Sequence, residues 1–130
     1  MSDTTIFHNP GCSQSRYALA TLRAAGLQPR VVEYLKTPPS RAEVMALVTA
    51  AGLTLHAALR EKNTPYAELG LGDPTLSDEV LLDAIEQHPV LLQRPFVVTP
   101  LGTALCRPKE KVLELLTPAQ RAAVAAATGG

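Results

Sequence analysis

The sequence has few cysteines, no net charge and no long apolar run, and each lack excludes a class of protein. Two cysteines in 130 residues cannot form a disulfide framework, so a reducing compartment is expected. A formal net charge of zero provides no basic field for nucleic acid or an anionic membrane. No apolar run approaches the roughly 20 residues of a membrane-spanning helix, and the N-terminus lacks the features of a signal peptide. We therefore expect a cytoplasmic protein that binds neither nucleic acid nor membrane.

The remaining composition is that of an ordinary globular protein. Hydrophobic residues make up 46% of the chain and charged residues 18%, which are usual proportions for a packed domain. A chain of this length is long enough to bury a core without disulfides or metals. No internal repeat or low-complexity linker divides it. The sequence therefore predicts a single domain over residues 1–130.

The order of the first predicted elements indicates an α/β fold. A β-branched and aromatic run ending at His8 predicts a strand, and residues 13–25 predict a helix that Gly26 ends. Residues 30–35 predict a second strand, apolar enough to be largely buried. Because a helix connects these two strands, they are expected to be parallel.

The second half of the chain predicts helices followed by a hairpin. Ser40 and Ser77 are expected to cap helices, and residues 55–63 are the best helix candidate between them. Residues 95–108 predict a β-hairpin, and residues 109–116 an amphipathic helix. The whole pattern predicts a thioredoxin-like fold. It consists of a mixed four-stranded sheet flanked by helices, with a helical insertion between the βαβ unit and the C-terminal ββα unit.

Cys12 is the main candidate for a reactive group. It follows Asn-Pro-Gly and begins a helix, where unpaired N–H groups and the helix dipole favour the thiolate. Gly11 allows the backbone to approach an anionic ligand closely, while Arg16 lies one turn along the same helix and His8 at the strand end. A buried structural cysteine is the alternative role, but the lead-in and the nearby basic residues favour a reactive thiol.

The spacing around Cys12 excludes several kinds of chemistry. Ser15 stands where a Cys-x-x-Cys redox pair would have its second cysteine, and Arg16 is too close for a Cys-x5-Arg phosphatase loop. A second thiol must then come from Cys106 or from an external thiol such as glutathione. Cys106 lies on a predicted strand and is better explained as a packed small residue. His8 and the two cysteines lack the paired spacing of a zinc site, so we expect no metal and no bound cofactor.

Four segments together resemble one known family, the glutaredoxin-dependent arsenate reductases. The resemblance runs from Thr5 to about Leu116 with little gapping. The segments that carry it are HNPGCSQSR, YLKTPPSR, LREKNTPYAELGL and HPVLLQRPFVVTPLGTALCRP. The family is related to the Spx-like proteins and shares their thioredoxin-like fold.

The resemblance implies roles for individual residues. Cys12 would be the nucleophile, and His8 would favour its ionised form. A cis peptide bond is expected before Pro95, the position at which thioredoxin-like folds carry one beside the cysteine. Arsenate and its products would be bound by three arginines, Arg60, Arg94 and Arg107. The substrate-binding set is completed in the loop and first helical turn by Gly11, Ser15 and Arg16.

The resemblance also implies a reaction sequence. The Cys12 thiolate would attack arsenate, which forms a thiol ester and releases water or hydroxide. Glutathione would then act as co-substrate and reduce arsenic to the trivalent state, and glutaredoxin would remove the glutathione so that arsenite leaves. The serine at position 15 fits this scheme, because the missing thiol is supplied by another molecule.

Two other functions remain open at this stage. One is a redox-responsive regulatory protein like the Spx-like regulators, which often carry the Cys-x-x-Cys pair that Ser15 interrupts here. The other is a glutathione-linked thiol reductase without an arsenic role, which would leave the three arginines unexplained. The arginines therefore favour the arsenate reductase.

Overall fold

In the computed structural model, which describes residues 3–128, the chain folds into two compact units. The first unit comprises the described parts of Met1–Glu33 and Arg94–Gly130, and the second is Tyr34–Gln93. The second unit corresponds to the predicted helical insertion. The single domain over residues 1–130 stays a prediction.

The first unit contains the predicted mixed four-stranded sheet. Its strands are β1 (Thr5–His8), β2 (Arg30–Glu33), β3 (Phe96–Thr99) and β4 (Gly102–Leu105). Their order in the sheet is β2-β1-β3-β4. β1 is parallel to β2 and antiparallel to β3, and β3 and β4 form the predicted hairpin. The predicted fold class is therefore confirmed.

Four α-helices lie within the described residues, two in each unit. They are α1 (Ser13–Ala24), α2 (Arg41–Ala50), α3 (Asp78–Gln87) and α4 (Pro118–Ala127). In none of the helices of residues 3–128 is there a stretch both long and apolar enough to cross a membrane. The peptide bond between Arg94 and Pro95 is cis, as predicted, and so is the one between Arg107 and Pro108.

The core of the first unit positions the start of α1 over the sheet. Ala18 and Leu22 on α1 are fully buried and pack in one cluster with Ile6 of β1 and Val97 of β3. Burial of these apolar side chains is the main stabilising contribution to the unit. Gly26 then ends the helix with a φ of 88°, in the left-handed region that a residue without Cβ adopts readily. The N-terminus of α1 is thereby fixed at the end of β1.

The second unit is a small helical body with capped helices. Ser40 accepts a hydrogen bond from the Glu43 N–H at 3.1 Å, and the Glu43 carboxylate accepts one from the Ser40 N–H at 3.2 Å. Ser40 therefore caps α2, as predicted, and its reciprocal bond with Glu43 makes this cap a capping box. The Ser77 hydroxyl caps α3, as predicted, by accepting a hydrogen bond from the Val80 N–H at 3.4 Å. Arg41 forms ion pairs with Asp83 and Glu86, which joins α2 to α3.

Three local predictions were wrong or incomplete, two of them in the first unit and one in the second. β2 ends at Glu33 and lies at the edge of the sheet with Arg30 and Val31 exposed, because it pairs on one side only. The segment 109–116 forms a 3-10 helix, Lys109–Leu115, and no α-helix. Val112 and Leu115 of this 3-10 helix are buried in the core of the first unit.

The predicted helix over residues 55–63 is absent except for a short 3-10 turn, His56–Ala58. The chain becomes extended at Leu59, which forms an antiparallel bridge with Leu92. The Arg60 N–H donates to the Leu91 carbonyl at 2.7 Å, and the Gln93 N–H to the Ala58 carbonyl at 2.9 Å. These long-range hydrogen bonds outweigh the local helix preference of the segment.

The hydrogen bond of Thr99 leads to a stability prediction. Thr99 is buried, and its hydroxyl donates to the Leu115 carbonyl at 2.7 Å. Thr99→Val keeps the shape but removes this hydrogen bond and the one that the hydroxyl accepts from the Leu101 N–H at 3.2 Å, so we expect the free energy of unfolding to fall by about 1–3 kcal/mol. Urea denaturation measures the change. The control is Thr103→Val on β4, a partly exposed threonine, where a change within about 0.5 kcal/mol is expected. Equal losses in both variants would contradict the role of this hydrogen bond.

Candidate active site

The loop between β1 and α1 is held by hydrogen bonds within residues 9–16. The side-chain Oδ1 of Asn9 accepts from the Gly11 N–H at 2.9 Å, and the Asn9 carbonyl accepts from the Cys12 N–H at 3.0 Å. The Arg16 guanidinium donates to the Pro10 carbonyl at 2.8 Å. Cys12 is therefore fixed at the N-cap position of α1. Gly11 and Arg16 both make contacts within the loop, and their predicted binding of substrate stays a prediction.

Ser15 joins the end of β1, the loop and the first turn of α1. Its side chain is fully buried, and its Oγ accepts a hydrogen bond from the Asn9 N–H at 3.0 Å. The same Oγ lies 2.6 Å from Nδ1 of His8. The residue that replaces a second cysteine is thus part of the framework of the site. Its predicted contact with substrate stays a prediction.

Asn9 is a site residue that the sequence analysis missed. Its side chain closes the turn onto Gly11, while its own backbone groups bind Ser15 and Cys12. The signal in the sequence is the Asn-Pro-Gly tripeptide, since asparagine side chains often bond to the backbone two residues on. The Asn-Pro-Gly tripeptide at residues 9–11 is therefore sufficient to predict this turn.

His8 has a buried ring whose proton affinity is reduced. Burial lowers the pKa of His8 below its ordinary value, and the carboxylate of Glu33 opposes this only in part. The ring is consequently neutral at pH 7, and it acts on the loop through its contact with Ser15, not through a positive charge. Its predicted role in favouring the ionised nucleophile stays a prediction.

The sulfur of Cys12 lies among groups that stabilise a negative charge. Burial raises the pKa of the Cys12 thiol, but hydrogen bonds from the backbone N–H groups of Ser15 and Gln14 and from the Arg94 side chain outweigh burial and lower it overall. Nη1 of Arg107 lies 3.9 Å from the sulfur and donates to the Arg94 carbonyl at 3.1 Å. Two of the three predicted arginines are therefore beside the cysteine.

Arg94 also carries hydrogen-bond donors that have no acceptor among the described residues. Its Nε and Nη1 atoms are buried and have no hydrogen-bond partner among residues 3–128. Unpaired donors on a buried charge are costly, and a tetrahedral oxyanion provides acceptors with the spacing of a guanidinium. The arrangement beside Cys12 therefore suits an anion with several oxygens.

Arg60 belongs to the second unit. Its Nε donates to the Lys62 carbonyl at 3.1 Å, and its Nη1 donates to Oε1 of Gln93 at 3.4 Å. Both of these partners belong to the second unit. Its predicted role in arsenate binding stays a prediction.

Cys106 differs from Cys12 in its surroundings. It is fully buried in the core of the first unit, where its Sγ lies 3.9 Å from the Ala104 carbonyl. Burial raises the pKa of this thiol to about 12, so it is almost entirely protonated at pH 7. It is the packed small residue that the sequence predicted. Within residues 3–128, no group of three or more histidine, cysteine or carboxylate side chains is arranged to hold a metal ion.

The fold and the position of Cys12 define the class of protein. A mixed sheet in the order β2-β1-β3-β4, a cysteine at the start of α1 and a cis-proline before β3 make this a thioredoxin-like protein. The model of the ArsC family matches residues 7–115, most of the chain. The protein therefore belongs to the ArsC family, and the family resemblance found in the sequence is confirmed.

Individual relatives agree with this assignment. The arsenate reductase of Rhizobium meliloti (strain 1021) is 65% identical over 112 residues, which cover 86% of this chain and 80% of the relative. An arsenate reductase of Escherichia coli is 50% identical over 123 residues, covering 95% and 87%. The solved structure of an arsenate reductase from Vibrio cholerae has a TM-score of 0.82 at 44% identity and covers 88% of this chain and 98% of that one.

The contact between Arg94 and Cys12 predicts the pH dependence of alkylation. Arg94→Gln removes a group that lowers the pKa of the Cys12 thiol, so the midpoint of the reaction with iodoacetamide is expected to move to higher pH. The rate is measured against pH by mass spectrometry at Cys12, which also separates it from Cys106. Arg121→Gln, on the exposed face of α4, is the control and should leave the midpoint unchanged. An unchanged midpoint in Arg94→Gln would contradict the assigned contact.

The buried ring of His8 predicts a loss of stability in mild acid. Because folding lowers the pKa of His8 below its ordinary 6.5, the folded state binds the proton more weakly than the unfolded state. This contribution to stability is fully present above pH 6.5 and is lost as the pH falls below that value. His8→Gln, which can still bond to Ser15, is expected to show a smaller decline in urea stability from about pH 8 to about pH 5. Identical declines in wild type and variant would show that another group is responsible.

Proposed function

We propose that the protein reduces arsenate to arsenite, with Cys12 as the nucleophile and with glutathione and glutaredoxin supplying the electrons. The observation that carries the proposal is the pair of arginines beside the Cys12 sulfur, one of them with two buried donors that lack a partner among the described residues. The relatives named arsenate reductase add support, since the two quoted above are 65% and 50% identical to this chain.

The first step is the formation of a thiol ester. The Cys12 thiolate attacks arsenic, a sulfur–arsenic bond forms, and one oxygen leaves as hydroxide or, after protonation, as water. Negative charge on the remaining oxygens grows as the bond forms. The guanidinium groups of Arg94 and Arg107 are suited to stabilise that charge, because they are fixed beside the sulfur before the reaction begins.

The later steps need thiols from outside the chain. A glutathione thiolate displaces a second oxygen as water, and arsenic then carries two sulfur atoms. A glutaredoxin thiolate attacks the glutathione sulfur and forms a disulfide with it, so the electron pair of the arsenic–glutathione bond stays on arsenic and reduces it from the pentavalent to the trivalent state. Water then cleaves the bond to Cys12 and arsenite leaves. Since both partners belong to a reducing compartment, the proposal assumes the cytoplasm.

The two cysteines of the chain support the need for an external thiol. Cys106 is fully buried and its thiol has a raised pKa, so it is a poor nucleophile. Ser15 cannot form a disulfide, and its hydroxyl is engaged by His8 and Asn9. Neither residue offers a route to an internal disulfide with Cys12.

A glutathione-linked thiol reductase without an arsenic role is the second candidate. It is favoured by the lowered pKa of the Cys12 thiol, which suits thiol–disulfide exchange. A thiol reductase function does not explain the unpaired hydrogen-bond donors of Arg94. An Spx-like regulatory role has less support, because the Cys-x-x-Cys pair is interrupted by Ser15.

The proposal predicts arsenate-dependent consumption of NADPH when glutathione, glutaredoxin and glutathione reductase are supplied. Cys12→Ser is expected to lower turnover by at least about a thousandfold, because a serine hydroxyl is not ionised at neutral pH and cannot form the thiol ester. The absorbance of NADPH measures the rate. Cys106→Ala is the matched control and should retain turnover, since its thiol takes no part.

Absence of arsenate-dependent turnover, with Cys12 still readily modified by oxidised glutathione, would overturn arsenate reduction and favour the thiol reductase. Loss of turnover in Cys106→Ala, with the fold intact by circular dichroism, would overturn the role of an external thiol.

A further inference from the structure

An open groove lies in the first unit, lined by the start of α1 and the segment after β4. Its volume is about 340 Å³, which is within the range of sites for small organic ligands. The groove is lined by Ser13, Gln14, Pro108, Lys109 and Glu110. None of these residues has a place in the proposed binding of arsenate.

The lining residues bring the groove close to the reacting sulfur. Ser13 and Gln14 directly follow Cys12, and the Gln14 N–H is one of the groups that stabilise its thiolate. Pro108 directly follows Arg107, whose Nη1 lies 3.9 Å from the Cys12 sulfur. The groove is therefore lined by residues that adjoin Cys12 and Arg107 in the chain.

The groove carries one positive and one negative side chain. Nζ of Lys109 lies 4.7 Å from the centroid of the Tyr17 ring, a cation–π contact that holds the ammonium near α1. Lys109 forms no ion pair with a carboxylate in the described part of the chain, and its charge is available to a ligand. Glu110, which also lines the groove, adds a carboxylate.

Gln14 adds a side-chain amide to the residues that line the groove. Its buried Oε1 has no hydrogen-bond partner among residues 3–128. An N–H of a peptide is the kind of donor that this oxygen lacks. The groove thus combines an ammonium, a carboxylate and an amide, which suits a small zwitterionic peptide.

We propose that this groove binds the glutathione that reacts at Cys12, with Lys109 binding a glutathione carboxylate and Glu110 its ammonium group. The inference rests on the proposed function, in which the second thiol comes from outside the chain. Glutathione has two carboxylates, one ammonium group and two amides, which match the charges and the amide of the groove. Arg94 and Arg107 then serve the oxyanion, and Lys109 and Glu110 serve the thiol substrate.

The test uses a reaction that needs no arsenate. The Cys12 thiolate attacks one sulfur of oxidised glutathione, a disulfide forms between Cys12 and that sulfur, and the other glutathione leaves as a thiolate. The same attack on 2-hydroxyethyl disulfide, which is uncharged, reports the reactivity of the thiolate without the groove. The ratio of the two second-order rate constants therefore measures recognition of glutathione.

Lys109→Ala is expected to lower this ratio by roughly fivefold to tenfold, as the loss of one charge-assisted hydrogen bond would. Lys109→Glu should lower it further, and Lys109→Arg should restore it. The control is Lys111→Ala, which removes an equal charge from an exposed residue two positions along that does not line the groove. Lys111→Ala should keep the wild-type ratio.

A second measurement uses the complete enzyme. In the arsenate assay, Lys109→Ala is expected to raise the KM for glutathione by a similar factor and to leave the KM for arsenate unchanged. If the protein has no arsenate reductase activity, the disulfide experiment still decides the question of the groove. Equal ratios for wild type, Lys109→Ala and Lys109→Glu, or equal loss in Lys111→Ala, would overturn the proposal. Binding of glutaredoxin in place of glutathione would appear as a changed KM for glutaredoxin alone, which would also overturn it.

Discussion

The hydroxyl group of Ser15 is the point at which the strand, the loop and the helix of the site are joined. It accepts from the Asn9 backbone and lies 2.6 Å from the ring of His8, while the rest of α1 is fixed by its apolar face over the sheet. Because the group is fully buried, these hydrogen bonds do not compete with water. The position of Cys12 depends on them, since its N–H is bound by the same Asn9.

The lowered pKa of the Cys12 thiol results from two opposing effects of its surroundings. Burial disfavours a thiolate, and backbone N–H groups together with Arg94 favour it more strongly. Partial exclusion of water also strengthens each remaining electrostatic contact, because charges interact more strongly where the local dielectric constant is low. The arginines that stabilise the thiolate are the same groups that suit an incoming oxyanion. In the proposed reaction, the same guanidinium groups can stabilise the thiolate and then bind the substrate. Such a site needs few residues.

Features that depend on neighbours in the sequence could be predicted, and those that depend on distant residues could not. The helix caps and the β-hairpin have local signals, and the structure has them as expected. The extended segment at Leu59 depends on its bridge to Leu92, far along the chain, and its composition alone favoured a helix. In the site, Cys12 could be found from its place before a helix, whereas the contacts of Arg94 and Arg107 with it came from the family resemblance. These arginines lie beside Cys12 because of the order of the strands in the sheet, and no local sequence pattern predicts that order.

The burial of Cys106 has a consequence for how the protein withstands oxidants. A thiolate that meets peroxide becomes a sulfenic acid, and a nearby second thiol normally converts this into a disulfide before further oxygen is added. Cys106, protonated within the core, cannot do so. Cys12 therefore has no internal protection against irreversible oxidation to the sulfinic acid. Recovery of an oxidised Cys12 would then depend on small thiols from solution.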